Sequence, residues 1–166
     1  MKKLILIISI VSIFTVAAFA QVEKQVAGIR AEVAAINKAA RGYKKKSKDV
    51  MGLSTEGAAA TYFTSGKGLK KITAKIYGET YNGSVELYYQ GEEVIFVYWK
   101  MNKYDTQIGM TPPPKVVRVE EERYYFAGGE LIRLLKGKKE IKPADEEYTE
   151  MKTGILELEK GLKEAY

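Results

Sequence analysis

The feature that most constrains the fold is a change in hydrophobic period between residues 58 and 141 of this 166-residue chain. Here short runs rich in Tyr, Val, Ile, Thr and Phe alternate apolar and polar positions, and glycine-bearing turns separate them. The pattern predicts about six strands, at Ala58–Thr64, Leu69–Tyr77, Ser84–Gln90, Val94–Met101, Val116–Phe126 and Leu131–Leu135. Short connections favour an antiparallel meander.

A weak internal repeat supports the meander. The segments Tyr62–Leu69, Tyr88–Val94 and Tyr124–Leu131 each contain an aromatic pair, a glycine turn and an aliphatic residue that opens the next run. Glycine accepts the positive φ that tight hairpins need, so each segment predicts one hairpin. Pro112–Pro114 removes three backbone donors, which excludes a central strand and predicts an exposed loop.

A helix is predicted on each side of the sheet region. From about residue 22 to 42, apolar residues recur at steps of three and four, from Val22 to Ala40. From about residue 144 to 165 the same spacing recurs after Pro143, with acidic residues in the first turn. Lys44–Lys48, between the first helix and the sheet, is expected to be a solvated tail or turn. The fold class is therefore α+β, with both helices packed on the sheet. The recurring apolar residues form one stripe along each helix, and we expect the two stripes to cover one face of the sheet or partly to pair with each other.

The first twenty residues have the organisation of a cleaved signal peptide. Lys2 and Lys3 precede an apolar run, and Ala18–Ala20 fits a cleavage site. An uncleaved anchor is the alternative. Because the chain has no Cys, no lipid can be attached. We expect a single soluble domain, residues 21–166, in the periplasm or outside the cell.

The segment Tyr124–Arg133, with the sequence Tyr-Tyr-Phe-Ala-Gly-Gly-Glu-Leu-Ile-Arg, resembles the tyrosine-rich hairpins of small exported bacterial proteins with no assigned function. The likeness includes the leading apolar segment and the C-terminal helix. It implies the fold described above and supplies no catalytic residue.

Composition narrows the chemistry. With no His and no Cys, the chain has no Ser-His-Asp or Cys-His machinery, no His-ligated zinc and no disulfide. The formal net charge is +6, which suits an anionic envelope polymer, lipid headgroups or an acidic protein as partner. We expect no cofactor, no metal and no nucleic-acid partner, and contact with the membrane only before the signal peptide is removed.

The candidate binding surface is the strand Val94–Trp99, which is apolar on both faces. If the helices cover one face, the other is either buried by a curled sheet or exposed for recognition. The speculative ligand-binding residues are Trp99, Tyr88, Arg118 and Arg133. The basic stretches Lys44–Lys48, Lys67–Lys71 and Lys136–Lys142 favour solvated turns over a binding patch.

We therefore expect an exported, non-enzymatic binding or interaction protein, with an envelope component, a protein or a small amphipathic ligand as its target. One alternative is a His-independent hydrolase that pairs Glu86 with a carboxylate of Glu120–Glu122 across neighbouring strands. Another is a structural or assembly factor that self-associates through its helix stripes. The oligomeric state is open.

Overall fold

A computed structural model describes residues 2–66 and 68–166, with side chains from residue 20 onward. Over these residues the protein has two α-helices and one eight-stranded antiparallel sheet, so the α+β class is confirmed. The elements are α1 (Lys2–Ala39), a 3-10 turn (Ala40–Gly42), β1 (Lys44–Val50), β2 (Ala58–Ser65), β3 (Gly68–Gly78), β4 (Tyr81–Gln90), β5 (Glu93–Tyr104), β6 (Val116–Ala127), β7 (Glu130–Lys136), β8 (Lys139–Ile141) and α2 (Glu146–Glu164).

The strands follow one another in chain order across the sheet, which confirms the meander. The six strands expected from the sequence correspond to β2 through β7, and Pro112–Pro114 lies in the loop between β5 and β6. Gly91, Gly128 and Gly129 have positive φ in their hairpin turns, as the turn pattern predicts.

The expected strand count was too low by the two outermost strands. Lys44–Val50 is not a solvated tail or turn but the edge strand β1, paired in continuous register from Lys44↔Thr64 to Val50↔Ala58. Only Val50 of β1 is buried, so backbone pairing forms this strand without hydrophobic alternation. At three residues, β8 is too short to show any period.

The first helix ends close to the predicted residue 42, since α1 stops at Ala39 and the 3-10 turn ends at Gly42. The predicted signal peptide falls on residues whose side chains, up to residue 19, lie outside the description, so its cleavage stays a prediction. Among the described residues, no helix is long and apolar enough to cross a membrane.

One buried row of side chains crosses the sheet from β2 to β8. Each member lies opposite the next in register: Tyr62, Ile72, Leu87, Val97, Tyr124, Leu134 and Ile141. Ile155 and Leu162 of α2 belong to the same buried cluster. The Tyr62 hydroxyl donates a hydrogen bond to the backbone oxygen of Leu162 over 2.8 Å, so this buried phenol has its partner on α2.

The stripe of α1 lies in different clusters. Val26 and Ile29 cluster with Tyr125, and Ile36 clusters with Tyr88 and Ile95. Successive strand residues point to opposite faces, so Tyr124 and Tyr125 belong to different faces. The expectation that the two stripes cover one face or pair with each other is therefore wrong. The double-sided apolar sequence of β5 reflects membership of two buried clusters: Val97 belongs to the cluster that contains Ile155 and Leu162, and Ile95 to the cluster that contains Ile36.

Candidate functional site

A groove of about 380 Å³ lies between α2 and strands β5 to β7. Its apolar lining comes from Trp99 and Met101 of β5 and from Met151, Ile155 and Leu158 of α2. Its polar lining comes from Glu122, Tyr124, Lys136, Glu147 and Glu150. A mostly apolar concavity of this size with a few convergent polar groups is typical of small-molecule sites.

Trp99 forms the floor of the groove because a glycine lets its ring approach the sheet. Trp99 pairs with Val85 of β4, and its ring lies over Gly83 two residues along that strand. A Cβ atom added to Gly83 would be 2.7 Å from Cη2 of Trp99. The ring is half-buried, with one side held against the backbone of β4 and the rest toward the groove.

Glu122 is the cross-strand neighbour of Trp99, on β6. Its carboxylate accepts a hydrogen bond from the Tyr124 hydroxyl. Burial is the largest influence on the pKa of Glu122 and raises it. The Tyr124 hydrogen bond and the Lys136 charge lower this pKa and the Glu120 and Glu147 charges raise it, and the net effect is a raised pKa. Burial and the neighbouring Glu122 also raise the pKa of Tyr124, so this phenol stays protonated and donates.

The charged side chains that line the groove include more carboxylates than ammonium groups. The Lys136 ammonium lies 2.7 Å from Oε2 of Glu147, and that hydrogen bond raises the pKa of Lys136. The pair leaves Glu122 and Glu150 as additional carboxylates in the lining. The groove therefore carries an acidic excess inside a protein whose formal charge is positive.

Gly154 keeps one side of the groove open. It is an exposed residue of α2, and a Cβ atom built on it would meet nothing within 4 Å. A larger side chain at this position would enter the groove mouth without disturbing packed neighbours.

The structure does not bring the four predicted ligand-binding residues together. Trp99 lines the groove. Arg118 shares its face but lies four positions before Glu122 on β6, exposed and 2.8 Å from Glu120. Tyr88 and Arg133 lie on the other face, in register with Phe96 and Tyr125. Of the four, only Trp99 belongs to the candidate groove.

Tyr88 belongs to a polar network next to α1. The ammonium of the buried Lys71 lies 2.7 Å from Glu86, 2.9 Å from the Tyr88 hydroxyl and 2.9 Å from Oδ1 of Asn37. Burial raises the pKa of Glu86, but hydrogen bonds from Lys71 and Tyr88 and the Lys71 charge lower it by more. Burial and Glu86 raise the pKa of Tyr88. The network therefore pairs a cation with an anion and holds Tyr88 in its neutral form.

Arg133 is also engaged by α1. Its Nη1 lies 3.1 Å from Oε2 of Glu23, and its Nε lies 3.8 Å from Oε1 of Glu140. Among the described residues, that Nε is the one buried side-chain nitrogen or oxygen with no hydrogen-bond partner. The guanidinium therefore faces two carboxylates, one from α1 and one from β8.

The carboxylate pair considered from the sequence is not formed. Strand β5 lies between β4, which carries Glu86, and β6, which carries Glu120–Glu122. Glu120 and Glu122 share the face of Trp99, whereas Glu86 faces the α1 side. Glu121 is on the Glu86 face, but Nη2 of Arg123 binds it at 2.9 Å.

A larger groove, about 550 Å³, opens over β1 to β4 on the Glu86 face. Its floor consists mainly of small residues such as Ala59, Thr61, Thr73 and Ser84. No aromatic side chain lines it. We place the candidate site at Trp99 because a ligand gains more from an aromatic surface and a half-buried carboxylate than from small, hydrated hydroxyls.

In comparisons with protein-family models, curated proteins and solved structures, nothing matched this chain. Within residues 20–66 and 68–166, no three acidic, His or Cys side chains are grouped so that they could hold a metal ion. Sequence reasoning singled out Trp99 but missed Gly83, Gly154 and the role of Glu122. The signal for Glu122 was present in the acidic run, but only the β5–β6 register places it opposite Trp99.

Proposed function

We propose that this protein is an exported, non-enzymatic binding protein whose groove beside Trp99 takes a small cationic amphipathic ligand. We further infer that both helices pack on the sheet, so that α2 forms one wall of the groove. The observation that carries the proposal is the cross-strand pair of Trp99 and Glu122 within one cavity of about 380 Å³. That pair offers an aromatic surface and a carboxylate to the same ligand.

The charge of the groove favours a cation. Lys136 is already paired with Glu147, so Glu122 and Glu150 are the charges left for a ligand. An ammonium over an indole ring gains roughly 0.5–2 kcal/mol, more when the site excludes water. The half-buried Glu122 would gain a charge partner on binding, which offsets the cost of its desolvation.

The apolar lining favours a ligand with a hydrocarbon or ring portion. Met101, Met151 and Leu158 surround Trp99 with flexible or aliphatic side chains. Methionine adapts to irregular ligand shapes because its side chain is unbranched and polarizable. Burial of an alkyl chain contributes about 25 cal/mol per Å² of apolar surface.

The experiment is a fluorescence titration of the mature chain, in which Trp99 is the only indole. The probe is a long-chain alkyltrimethylammonium ion below its micelle concentration, with the alkyl sulfate of equal chain length as the matched anion. We expect the cation to shift the Trp99 emission with saturation and the anion to do so at least tenfold more weakly. Equal response to both ions would overturn the charge assignment.

Two variants locate the site. Gly154→Leu fills the groove mouth and should abolish saturation, whereas Gly28→Leu, an equally open exposed glycine on α1, should leave it unchanged. Glu122→Gln should weaken binding of the cation about tenfold, which corresponds to about 1.4 kcal/mol, because the quaternary ammonium loses its ion pair with the carboxylate. Unchanged binding in Gly154→Leu would place the ligand elsewhere and overturn the proposal.

A His-independent hydrolase remains a second candidate on one specific observation. Glu122, whose pKa is raised by burial, and Glu150 line the same groove, and two carboxyl groups in one cavity, one of them with a raised pKa, are an arrangement that acid–base hydrolysis uses. Mass spectrometry of a bound ligand before and after incubation distinguishes the two candidates. An intact ligand supports the binding protein, and cleavage that Glu122→Gln abolishes supports the hydrolase.

A further inference from the structure

The groove of about 550 Å³ over β1 to β4 continues into a smaller one on the same face of the sheet. The smaller groove, of about 250 Å³, is lined by Tyr77, Asn82 and Asn102, and both grooves are lined by Lys75 and Ser84. The two grooves together are called the polar trough below. The trough crosses the sheet from β1 to β5, which is about 19 Å for four strand spacings. A space of this length fits an extended ligand.

The trough has polar groups whose hydrogen-bonding capacity the chain itself does not use. Within residues 20–66 and 68–166, the Ser84 hydroxyl has no hydrogen-bond partner. The Ser47 and Thr61 hydroxyls are 2.9 Å apart, and since only one of them donates in that bond, the other has its hydrogen available. Asn102 donates to Oδ1 of Asn82 over 2.8 Å, and its own amide oxygen is free to accept. These groups both donate and accept, as the hydroxyls of a sugar do.

Two lysines without an ion pair flank Ser84. Lys75 of β3 and Lys100 of β5 are the register neighbours of Ser84 on its two sides. In the described part of the chain, neither lysine has an ion-pair partner. Glu121 lies opposite Lys100 on β6, but its carboxylate is bound by Arg123 at 2.9 Å. An anion placed at Ser84 would therefore relieve the repulsion between two ammonium groups.

The carboxylates of the trough leave part of this positive charge uncompensated. Glu86 is bound by Lys71 at 2.7 Å. Among the residues that the structure describes, Asp49 is the one carboxylate of the trough lining without an ion pair. It belongs to the edge strand β1, two strands away from Lys75. The trough thus favours an anion at its β4–β5 end and an uncharged polar ligand along the rest.

Tyr77 adds an aromatic surface to the smaller groove. It is 40% exposed and lies opposite Asn82, which in turn lies opposite Asn102. A partly exposed tyrosine ring has an apolar face and a polar tip, and the two amides beside it add donors and acceptors. This combination suits sugar rings, because their flat faces are apolar and their edges are polar.

We propose that the polar trough binds a carboxylated polysaccharide chain, with one uronic acid carboxylate at Ser84 between Lys75 and Lys100. Hydrogen bonds from ammonium groups to a carboxylate are stronger than those between neutral groups. The remaining sugar hydroxyls bind the free hydroxyls and amides of the trough. A polyanion without hydroxyls uses only the lysines, and a neutral glycan uses only the hydroxyls and amides. A carboxylated glycan uses both.

The trough is separate from the groove beside Trp99. Trp99 lies opposite Val85 on β4, and successive residues of a strand point to opposite faces, so Ser84 and Trp99 belong to different faces. The two ligands also have opposite charges. Failure of one proposal therefore leaves the other intact.

Calorimetric titration of the mature chain tests the ligand class. The probe is hexagalacturonate, and the matched probes are maltohexaose, with as many sugar rings and no charge, and hexaglutamate, with as many side-chain carboxylates and no sugar. We expect saturable binding of hexagalacturonate and binding at least tenfold weaker for each matched probe. Absence of hexagalacturonate binding, or equal binding of either matched probe, would overturn the proposal.

Substitutions in the trough test the position of the carboxylate. Lys75→Gln and Lys100→Gln should each weaken hexagalacturonate binding at least fivefold, and Ser84→Tyr should abolish it by placing a ring between the two lysines. Lys138→Gln removes the same charge at an exposed residue of the β7–β8 turn and should bind as the native chain does. Gly154→Leu, in the other groove, should also bind normally. Melting temperatures measured on each variant exclude unfolding as the cause of a loss. If Lys138→Gln weakens binding as much as Lys75→Gln, the anion is not held at Ser84 and the proposal is wrong.

Discussion

The ammonium of Lys71 lies 2.7 Å from Oε2 of Glu86 and also bonds Oδ1 of Asn37, so a single buried cation joins β3, β4 and the last turn of α1. It also lies 4.7 Å from the centre of the Tyr88 ring. Every polar group in this cluster has its partner in the cluster. The Lys71 cluster is made of Asn37, Lys71, Glu86 and Tyr88. We interpret it as a structural contact that holds the end of α1 to β3 and β4, and not as a catalytic site.

We expect Lys71→Met to destabilise the fold by about 1–3 kcal/mol, since it leaves Glu86 and Asn37 without their shared donor. The loss should fall short of that for a fully buried pair because the Glu86 side chain is 39% exposed and can be hydrated. Chemical denaturation of both proteins measures the difference. Lys70→Met, one residue earlier on β3, is the matched control and should change stability by less than half as much. An equal loss of unfolding free energy for the two substitutions would show that the cluster does not hold α1 to the sheet.

The same cluster predicts a dependence of stability on pH. The pKa of Glu86 is lower in the folded chain than its ordinary value of 4.5. A depressed carboxyl pKa contributes stability that is present above the ordinary value and is lost as the pH falls through the folded value. Melting temperatures measured downward from pH 5 should therefore fall less steeply for Glu86→Gln than for the native chain. Parallel curves for the two proteins would contradict the role given to Glu86.

Leu162 is the side chain of α2 on which the main cluster depends most. It is fully buried, and its carbonyl accepts the Tyr62 hydroxyl. We expect Leu162→Ala to cost about 2–5 kcal/mol of unfolding free energy, the range for a buried leucine. Leu158→Ala should cost less, because Leu158 is only half-buried at the groove. If thermal melts rank the two in the opposite order, the placement of α2 is wrong.

Export is tested at the N-terminus of the chain purified from its native host. The expected result is a mature protein that begins at Gln21, since Ala18–Ala20 fits the cleavage pattern. Intact-mass spectrometry distinguishes this from the full chain, allowing for cyclisation of the N-terminal glutamine. A soluble protein that retains Lys2 would contradict both cleavage and the periplasmic or extracellular location proposed for it.

Much of the fold was predictable because the sequences of β2 to β7 each show the alternation and the flanking turns that indicate a strand. Alternation and glycine turns are local, so the six strands and the meander order could be read without knowing which face is buried. The strand β1 could not be predicted, because the exposed lysines from Lys44 to Lys48 form no hydrophobic pattern. Only pairing with β2 makes this segment a strand. The separation of the two helix stripes into different buried clusters also depends on tertiary packing, which periodicity does not report.

The site was less predictable than the fold. Trp99 was identifiable as the only Trp on a strand with two apolar faces. Its neighbours depend on register: Glu122 is opposite Trp99 because of the β5–β6 pairing, which a slip of one residue would replace with a residue from the other face. Tyr88 and Arg133 are prominent in the sequence, but their polar groups bind residues of α1 and not a ligand. A polar group at the end of a buried side chain needs a hydrogen-bond partner inside the protein.

The close approach of Trp99 to Gly83 predicts a measurable cost of adding one methyl group. In Gly83→Ala the new Cβ would be 2.7 Å from Cη2 of the ring, which is nearer than a carbon contact allows. The indole must therefore move toward the groove, and overpacking of this kind costs about 1–3 kcal/mol. We expect a lower melting temperature and a red-shifted emission as the ring becomes more hydrated. Ser84→Ala, the next residue on β4 with its side chain on the other face, should change neither. If Trp99 emission in Gly83→Ala is the same as in the native chain, the ring does not lie over the glycine, and Trp99 does not form the floor of the groove in the way described.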